Sequence, residues 1–166
     1  MQKINYCNPN SPMQIDYSKL ENLLKNKCWK EADQETFAIL LKASDRKHKF
    51  LSLFVNLPQE VLQTIDNLWF NYSYGHFGFS VQKQIWYNLG GYRNSNSDSV
   101  WNFTASVGWV LQYSWKSYSQ LNFDTNFKRG FFPLLVYRYE ATNDNGLSDY
   151  YFSPDILLAI LSSPSL

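Results

Sequence analysis

The sequence predicts an all-α domain with long aromatic loops and a small β-hairpin near its C-terminus. Three observations carry this reading. Apolar residues recur at three- and four-residue steps in several separate segments, the period of a helix with one buried face. Helix-start signals head those segments: Asp16, Pro58, Ser80 and Ser153-Pro154. Aromatic residues reach 18%, and from Val100 onward they crowd into stretches without a clean period.

Residues 1–15 hold Asn, Ser and two prolines without periodicity and read as a mobile lead-in. Asp16 can cap a helix over 17–25 in which Tyr17, Leu20, Leu23 and Leu24 share one face; Ser18 with Glu21 is a competing capping box. Trp29, Ala32, Asp33, Thr36, Phe37, Leu40 and Leu41 then repeat at helical steps, with Glu31, Asp33 and Glu35 where the N-terminal dipole favours acids. The two segments predict a helical hairpin. Pro58 suits the first position of a third helix, whose stripe is Val61, Leu62, Ile65, Leu68, Trp69 and Tyr72. It ends into Gly75-His76-Phe77-Gly78, after which Ser80 can cap a short helix bearing Val81, Ile85, Trp86 and Leu89, closed by Gly90-Gly91.

The polar stretch 92–99 reads as a linker within the domain. Beyond it, Leu111, Trp115 and Tyr118 have helical spacing, so one or two helices and a long aromatic loop are expected. Weak alternation over Leu134 to Glu140, the turn signal Asn143-Asp144-Asn145-Gly146 and a return over Tyr150 to Phe152 predict the hairpin. Ser153-Pro154 opens a last helix with Ile156, Leu157, Ile160 and Leu161. With 166 residues and no visible linker, one core is expected: a flexible segment over 1–15, a ligand-binding helical domain over 16–133, and a C-terminal extension over 134–166 that packs on the domain or trails from it.

Composition excludes several classes. Charged residues make up 17%, against roughly 25% in an average soluble domain. The net charge is +1, and the arginines are Arg46, Arg93, Arg129 and Arg138; no basic field exists to hold a phosphate backbone, so nucleic acid is not an expected partner. No apolar run is long enough to span a membrane, and neither a signal nor a transit peptide is expected at the N-terminus. Cys7 and Cys28, spread along the chain with His48 and His76, lack the spacing of a zinc site and read as reduced thiols.

Catalytic constellations are equally wanting. Gly78-Phe79-Ser80-Val81-Gln82 begins like a nucleophile elbow but lacks the closing glycine and follows a helix rather than a strand. His76 has no Ser or Cys placed beside it with an acid behind, and reads as a turn residue bonded to backbone. Asp66, near Trp69 on the third helix, is the one candidate for a buried, perturbed carboxylate; its simpler role is to anchor a neighbouring backbone N–H. No phosphate loop, metal triad or dinucleotide fingerprint occurs, and no enzyme is expected.

The aromatics are therefore the functional signal. Trp29, Trp69 and Trp86 lie on helical stripes and read as core. Those of 77–79 and 101–132 lie in segments without amphipathic period, which predicts exposed aromatic walls for a ligand or partner. A flat apolar ligand with acidic groups on one edge would need such walls and a few cations at the rim, where Arg93, Lys128 and Arg129 stand.

At these segments the chain resembles the genomes-uncoupled-four family of porphyrin-binding regulators. The matching pieces are Tyr17-x-x-Leu20-x-x-Leu23-Leu24, Trp29-x-Glu31-Ala32-Asp33-x-Glu35-Thr36, Leu57-Pro58, Thr64-Ile65-Asp66-x-Leu68-Trp69, Ser73-x-Gly75-His76-Phe77-Gly78-Phe79-Ser80-Val81-Gln82-x-x-Ile85-Trp86, Val107-Gly108-Trp109, Trp115-x-x-Tyr118 and Leu121-x-Phe123. They run in order over about residues 17–133. The resemblance implies a cupped helical domain that holds protoporphyrin IX or Mg-protoporphyrin IX and stimulates magnesium chelatase through its large porphyrin-binding subunit, with no permanent cofactor and no catalytic residues. Bilins are a further ligand class it implies, and a pure protein-interaction module with an altered ligand site is the competing reading.

The expected walls are Phe77, Phe79, Val81, Trp101, Trp109, Trp115, Phe131 and Phe132, with Arg93 and Arg129 as cations for propionates. Truncating Phe79 or Trp109 is expected to weaken porphyrin binding while leaving the thermal transition intact. The chain departs from the family at Val110, where an arginine often follows Val-Gly-Trp, and at Gly130-Phe131-Phe132-Pro133, a greasier loop than the family's Gly-His-Leu-Pro. Asn- and Lys-heavy, Arg-poor usage suits a plastid-encoded protein, with a cyanobacterial cytoplasm as the alternative. A monomer is expected, with peripheral membrane association left open.

Overall fold

The computed structural model describes residues 15–44, 57–91, 97–111, 114–115, 126–134, 140–142, 148–150, 154–164 and 166. Residues 1–14 of the expected lead-in 1–15, 92–96 of the expected linker 92–99 and the turn 143–146 lie outside them; Ile15 packs against the core and 97–99 already belong to a helix, which corrects those ends of the two segments. The architecture is mainly helical, as the sequence predicts. Helix α1 (Ser18–Lys25) turns back as α2 (Trp29–Ala43), forming the expected hairpin. Asp16 Oδ1 accepts the Ser18 amide at 2.9 Å, so the aspartate serves the helix start; Glu21 instead reaches across to accept the Tyr72 hydroxyl at 2.7 Å. Leu20, Leu24, Ala32, Ile39 and Leu40 are buried along the seam.

Helix α3 (Gln59–Tyr72) follows Pro58 and buries Val61, Leu62, Ile65, Asp66 and Trp69, the face its period predicts. The Trp69 indole N–H donates to Thr36 Oγ1 at 2.9 Å, and that hydroxyl donates to the Ala32 carbonyl at 2.9 Å. A buried indole thus keeps its hydrogen bond, which makes the packing of so large a ring affordable. Helix α4 (Phe79–Asn88) starts from Gly78, at φ 128°. Its first turn is closed from α3 rather than by Ser80: Asp66 Oδ1 accepts the Ser80 amide at 2.8 Å.

Among the described residues four helices end in the same Schellman geometry, in which a left-handed residue lets two successive amides bond back to the last turn. In α4 that residue is Gly90, and in helix α5 (Ser97–Val107) it is Gly108. In α1 it is Lys27 and in α3 it is Tyr74, at φ 58° and 56°.

Two short antiparallel hairpins complete the described elements: β1 (Val110–Leu111) with β2 (Ser114–Trp115), and β3 (Glu140–Thr142) with β4 (Ser148–Tyr150). The first corrects the helical spacing read over Leu111 and Trp115: Val110 pairs with Trp115 and Leu111 with Ser114. Two positions four apart fit either period, and the helix must end at Gly108 because the chain turns left-handed there. The second hairpin is the expected one, shifted to pair Glu140 with Tyr150 and Thr142 with Ser148. Helix α6 (Pro154–Leu161) packs on α4, with Ile160 and Leu161 in the common core.

Residues 126–134 form a strap without regular structure that crosses the domain. It is tied down one hydrogen bond at a time. Gly130 N–H donates to the His76 carbonyl at 2.8 Å, and Gly78 N–H to the Phe132 carbonyl at 3.0 Å. The Gln82 amide donates to the Gly130 and Pro133 carbonyls, both at 3.0 Å. The Trp109 indole donates to the Phe131 carbonyl at 2.8 Å, and Leu134 N–H to Asp33 Oδ1 at 2.7 Å. A buried segment outside helix and sheet needs such individual partners for its backbone.

Candidate functional site

The strap decides which predicted wall residues are buried. Phe131 and Phe132 plug inward from it: Phe132 stacks on Trp69 with centroids 5.4 Å apart and meets Phe77 edge-on at 5.2 Å. Trp109 meets Phe103 edge-on at 5.6 Å, and Phe103 meets Trp86 at 5.7 Å. Phe77, Phe79, Val81, Trp109, Phe131 and Phe132 are all buried. The expected exposure of these walls is thereby corrected: the described aromatics of 77–79, Phe103 to Trp109 and Phe131-Phe132 are buried in the core. Missing amphipathic period did not mean exposure, because an extended strap bonded to side chains buries consecutive residues without any period. Trp101 is half-buried on α5. Arg129 is exposed and donates to Gln84 Oε1 at 2.7 Å. Arg93 and the Trp115 side chain lie outside the described residues.

The space lies on the other side of Phe77. An open cleft of about 480 Å³ is lined by Lys27, Trp29, Tyr72, Ser73, Tyr74, His76, Phe77, Asn126 and Phe127. Its volume falls within the roughly 300–1,000 Å³ of small-molecule sites. Four structural pieces converge there: the α1–α2 turn, the end of α3, the 73–78 turn and the start of the strap. Trp29 lies over Trp69 at 6.0 Å and 24°, and Phe77 stands edge-on to Trp29 at 5.2 Å. Phe127 contacts Phe131 at 4.7 Å and Phe132 at 4.9 Å, so the wall is backed by core rings. Trp29 and Phe127 are half-buried, each keeping part of its surface open.

Polar groups at the mouth are held in place. His76 Nε2 lies 2.9 Å from the Phe127 carbonyl, so that nitrogen carries the proton and donates. The backbone bond expected of His76 is therefore present, and it fastens the strap to the 73–78 turn. Ser73 Oγ accepts the Phe77 amide at 2.8 Å. Lys27 is exposed and brings a positive charge to the lining. Behind the cleft, Asp66 is 8% exposed; burial pushes its carboxyl above the ordinary 3.8, while hydrogen bonds from Ser80 and the Phe79 amide pull the other way. This carboxylate is both perturbed and an anchor for a backbone N–H, the role expected of it.

Among the described residues no group of three His, Cys, Asp or Glu could hold a metal ion. No described helix is long and apolar enough to cross a membrane. Of the predicted walls whose side chains are described, Phe77 is the one that lines the cleft, as a buried ring behind the half-buried Trp29 and Phe127. Trp29, read as core because it continues the α2 stripe, forms a wall instead, since it is the first residue of its helix and has no preceding turn to cover it. Tyr74 and Lys27 were legible only as residues where a helical stripe stops.

Fold and site together define a mainly helical domain with an open cleft walled by aromatic rings and one lysine. The chain belongs to the GUN4-like family, whose model matches residues 10–145. It is 32% identical over 114 residues to the tetrapyrrole-binding protein of the Arabidopsis thaliana chloroplast, covering 61% of this chain and 40% of that one. It is 30% identical over 132 residues to the uncharacterized protein ycf53 of Pyropia yezoensis, covering 75% of this chain and 52% of that one. The chain thus spans about half or less of the length of these relatives. The solved structure of GUN4 from Chlamydomonas reinhardtii superimposes with a TM-score of 0.66 at 25% identity, covering 94% of this chain and 93% of that one.

Proposed function

We propose that the chain binds a tetrapyrrole, protoporphyrin IX or its magnesium complex, in the cleft beside Phe77. One observation carries the reading: in a chain of a family with a tetrapyrrole-binding member, the half-buried rings of Trp29 and Phe127, backed by the buried Phe77, line a cleft that also holds the exposed Lys27. A flat macrocycle gains about 2.5 kcal/mol for each ~100 Å² of apolar face it covers. Its propionates stay at the wet edge, where an ammonium can pair with them. The open mouth suits a ligand wider than the cleft, which enters by one edge and leaves the rest accessible. Stimulation of magnesium chelatase through its large porphyrin-binding subunit follows from the family resemblance, and such a role needs a ligand held with one side free. The chloroplast relative and the ycf53 protein of Pyropia yezoensis support work in a plastid, with a cyanobacterial cytoplasm as the alternative setting. Bilin carriage is the nearest variant, since a bilin offers the same acidic edge.

Titration of protoporphyrin IX while tryptophan emission is followed tests the reading. Saturable quenching is expected, with Trp29→Phe reducing the quenched fraction because that indole touches the ligand. A linear, unsaturable response would leave only the interaction-module reading. Addition of the loaded protein to purified chelatase is expected to accelerate magnesium insertion.

A further inference from the structure

Among the described residues, the two left-handed ones without glycine's freedom, Lys27 and Tyr74, close different helices yet line one cleft. At the ends of α4 and α5 the same geometry is filled by Gly90 and Gly108, the residue that adopts it without steric conflict. Neither glycine lines the cleft. A Lys and a Tyr in this conformation are strained by the contact of Cβ with the carbonyl that follows. Local packing does not account for them. Tyr74 is 92% exposed, Lys27 is exposed, and among the described residues neither side chain makes a hydrogen bond or ion pair. Positions that break a local rule without a compensating contact are where function is to be sought.

We infer that Lys27 and Tyr74 are the gripping residues of the cleft, Lys27 pairing its ammonium with a carboxylate of the bound tetrapyrrole and Tyr74 laying its ring against the macrocycle. The inference rests on the tetrapyrrole reading and adds which side chains select the ligand. The two bind by different chemistry. Lys27 discriminates between a free dicarboxylic porphyrin and its esters, because an ester carries no charge to pair. Tyr74 responds to the apolar face and treats acid and ester alike.

The test uses Lys27→Gly, Lys27→Asn, Tyr74→Gly and Tyr74→Asn in the full chain, titrated with protoporphyrin IX and its dimethyl ester. Glycine is expected to raise the melting temperature by about 1–4 °C, because the strain is relieved. Asparagine, which visits the left-handed region more readily than other L-residues, keeps the turn while removing the charge or the ring. Both Lys27 variants are expected to weaken binding of the free acid about three- to ten-fold and leave the ester within two-fold. Both Tyr74 variants are expected to weaken acid and ester equally, about three- to ten-fold. Lys27→Arg should restore the preference for the acid. Wild-type quenching that saturates while either position's variants bind both porphyrins as tightly as wild type overturns this inference alone. Failure of the wild-type chain to bind either porphyrin removes the tetrapyrrole reading and this inference with it.

Discussion

Asp66 on α3 and Ser80 on α4 are joined by a 2.8 Å hydrogen bond from the Ser80 amide to the carboxylate, so one helix caps the next. The bond also explains Gly78: a Cβ there would stand 2.7 Å from Asp66 Oδ1, blocking the approach. Removing the carboxylate leaves first-turn amides of α4 unpaired. Asp66→Ala is expected to cost about 1–2 kcal/mol of folding stability, read as a lower urea midpoint with an unchanged slope. Asp66→Asn retains an acceptor oxygen and should stay within about 1 kcal/mol of wild type at neutral pH.

The same carboxyl sets a pH dependence. Burial raises its folded-state pKa above the ordinary 3.8, so between the two values the folded protein binds more protons than the unfolded chain. Stability then falls as pH rises through that window, and the contribution of Asp66 is greatest below the unfolded value. Asp66→Asn cannot titrate. The wild-type minus variant difference in unfolding free energy should therefore decline from pH 3.5 upward and level off once Asp66 is fully ionised in the folded state. A difference that is flat across the range, or that grows with pH, would show that the carboxylate is stabilised rather than penalised by its site.

Gly130 fixes the strap. It stands at φ 79°, and a Cβ would lie 2.7 Å from Ile85 Cδ1 and 3.2 Å from Val107 Cγ1. Gly130→Ala therefore combines left-handed strain with overpacking between α4 and α5. The expected loss is about 2–4 kcal/mol. In that variant hydrogen exchange should rise at the amides of Gly78 and of residue 130, which are bonded across the strap, before it rises in α1.

Helix existence was legible from period and caps: the α3 stripe from Val61 to Trp69 is buried as read, and Asp16 assists the start of α1. Less legible was whatever depends on contact between distant segments. Asp33 reads locally as a residue favoured by the α2 dipole, yet it accepts the Leu134 amide 101 positions away. Ser80 reads as the cap of α4, and Asp66 supplies it. The aromatic loops read as surface because burial is usually inferred from periodicity. Here Gln82, Trp109 and Asp33 bury the strap through single hydrogen bonds to its backbone, a device that leaves no periodic trace. The cleft was half-visible for the same reason: Phe77 was read from the loop, whereas Trp29 was hidden by its place on a stripe.

Phe79 and Phe127 separate core from site. Phe79 is the first residue of α4 and fully buried, so Phe79→Ala opens a cavity and loses the transfer free energy of the ring, about 3–5 kcal/mol. In a chain of this length each kcal/mol lowers the melting temperature by about 2–4 °C, so a fall of at least about 6 °C is expected, reversing the intact thermal transition that the sequence suggests. Phe127 is half-buried at the cleft wall, and its loss exposes little new core. Phe127→Ala should lower the melting temperature by less than Phe79→Ala and weaken protoporphyrin IX binding about three- to ten-fold, the value of one aromatic contact with its covered area. Paired melting curves and quenching titrations check both at once: a Phe127→Ala chain that binds like wild type would place the macrocycle elsewhere. A Phe79→Ala chain that melts like wild type would mean that the core does not close around that ring as the interlocked contacts require.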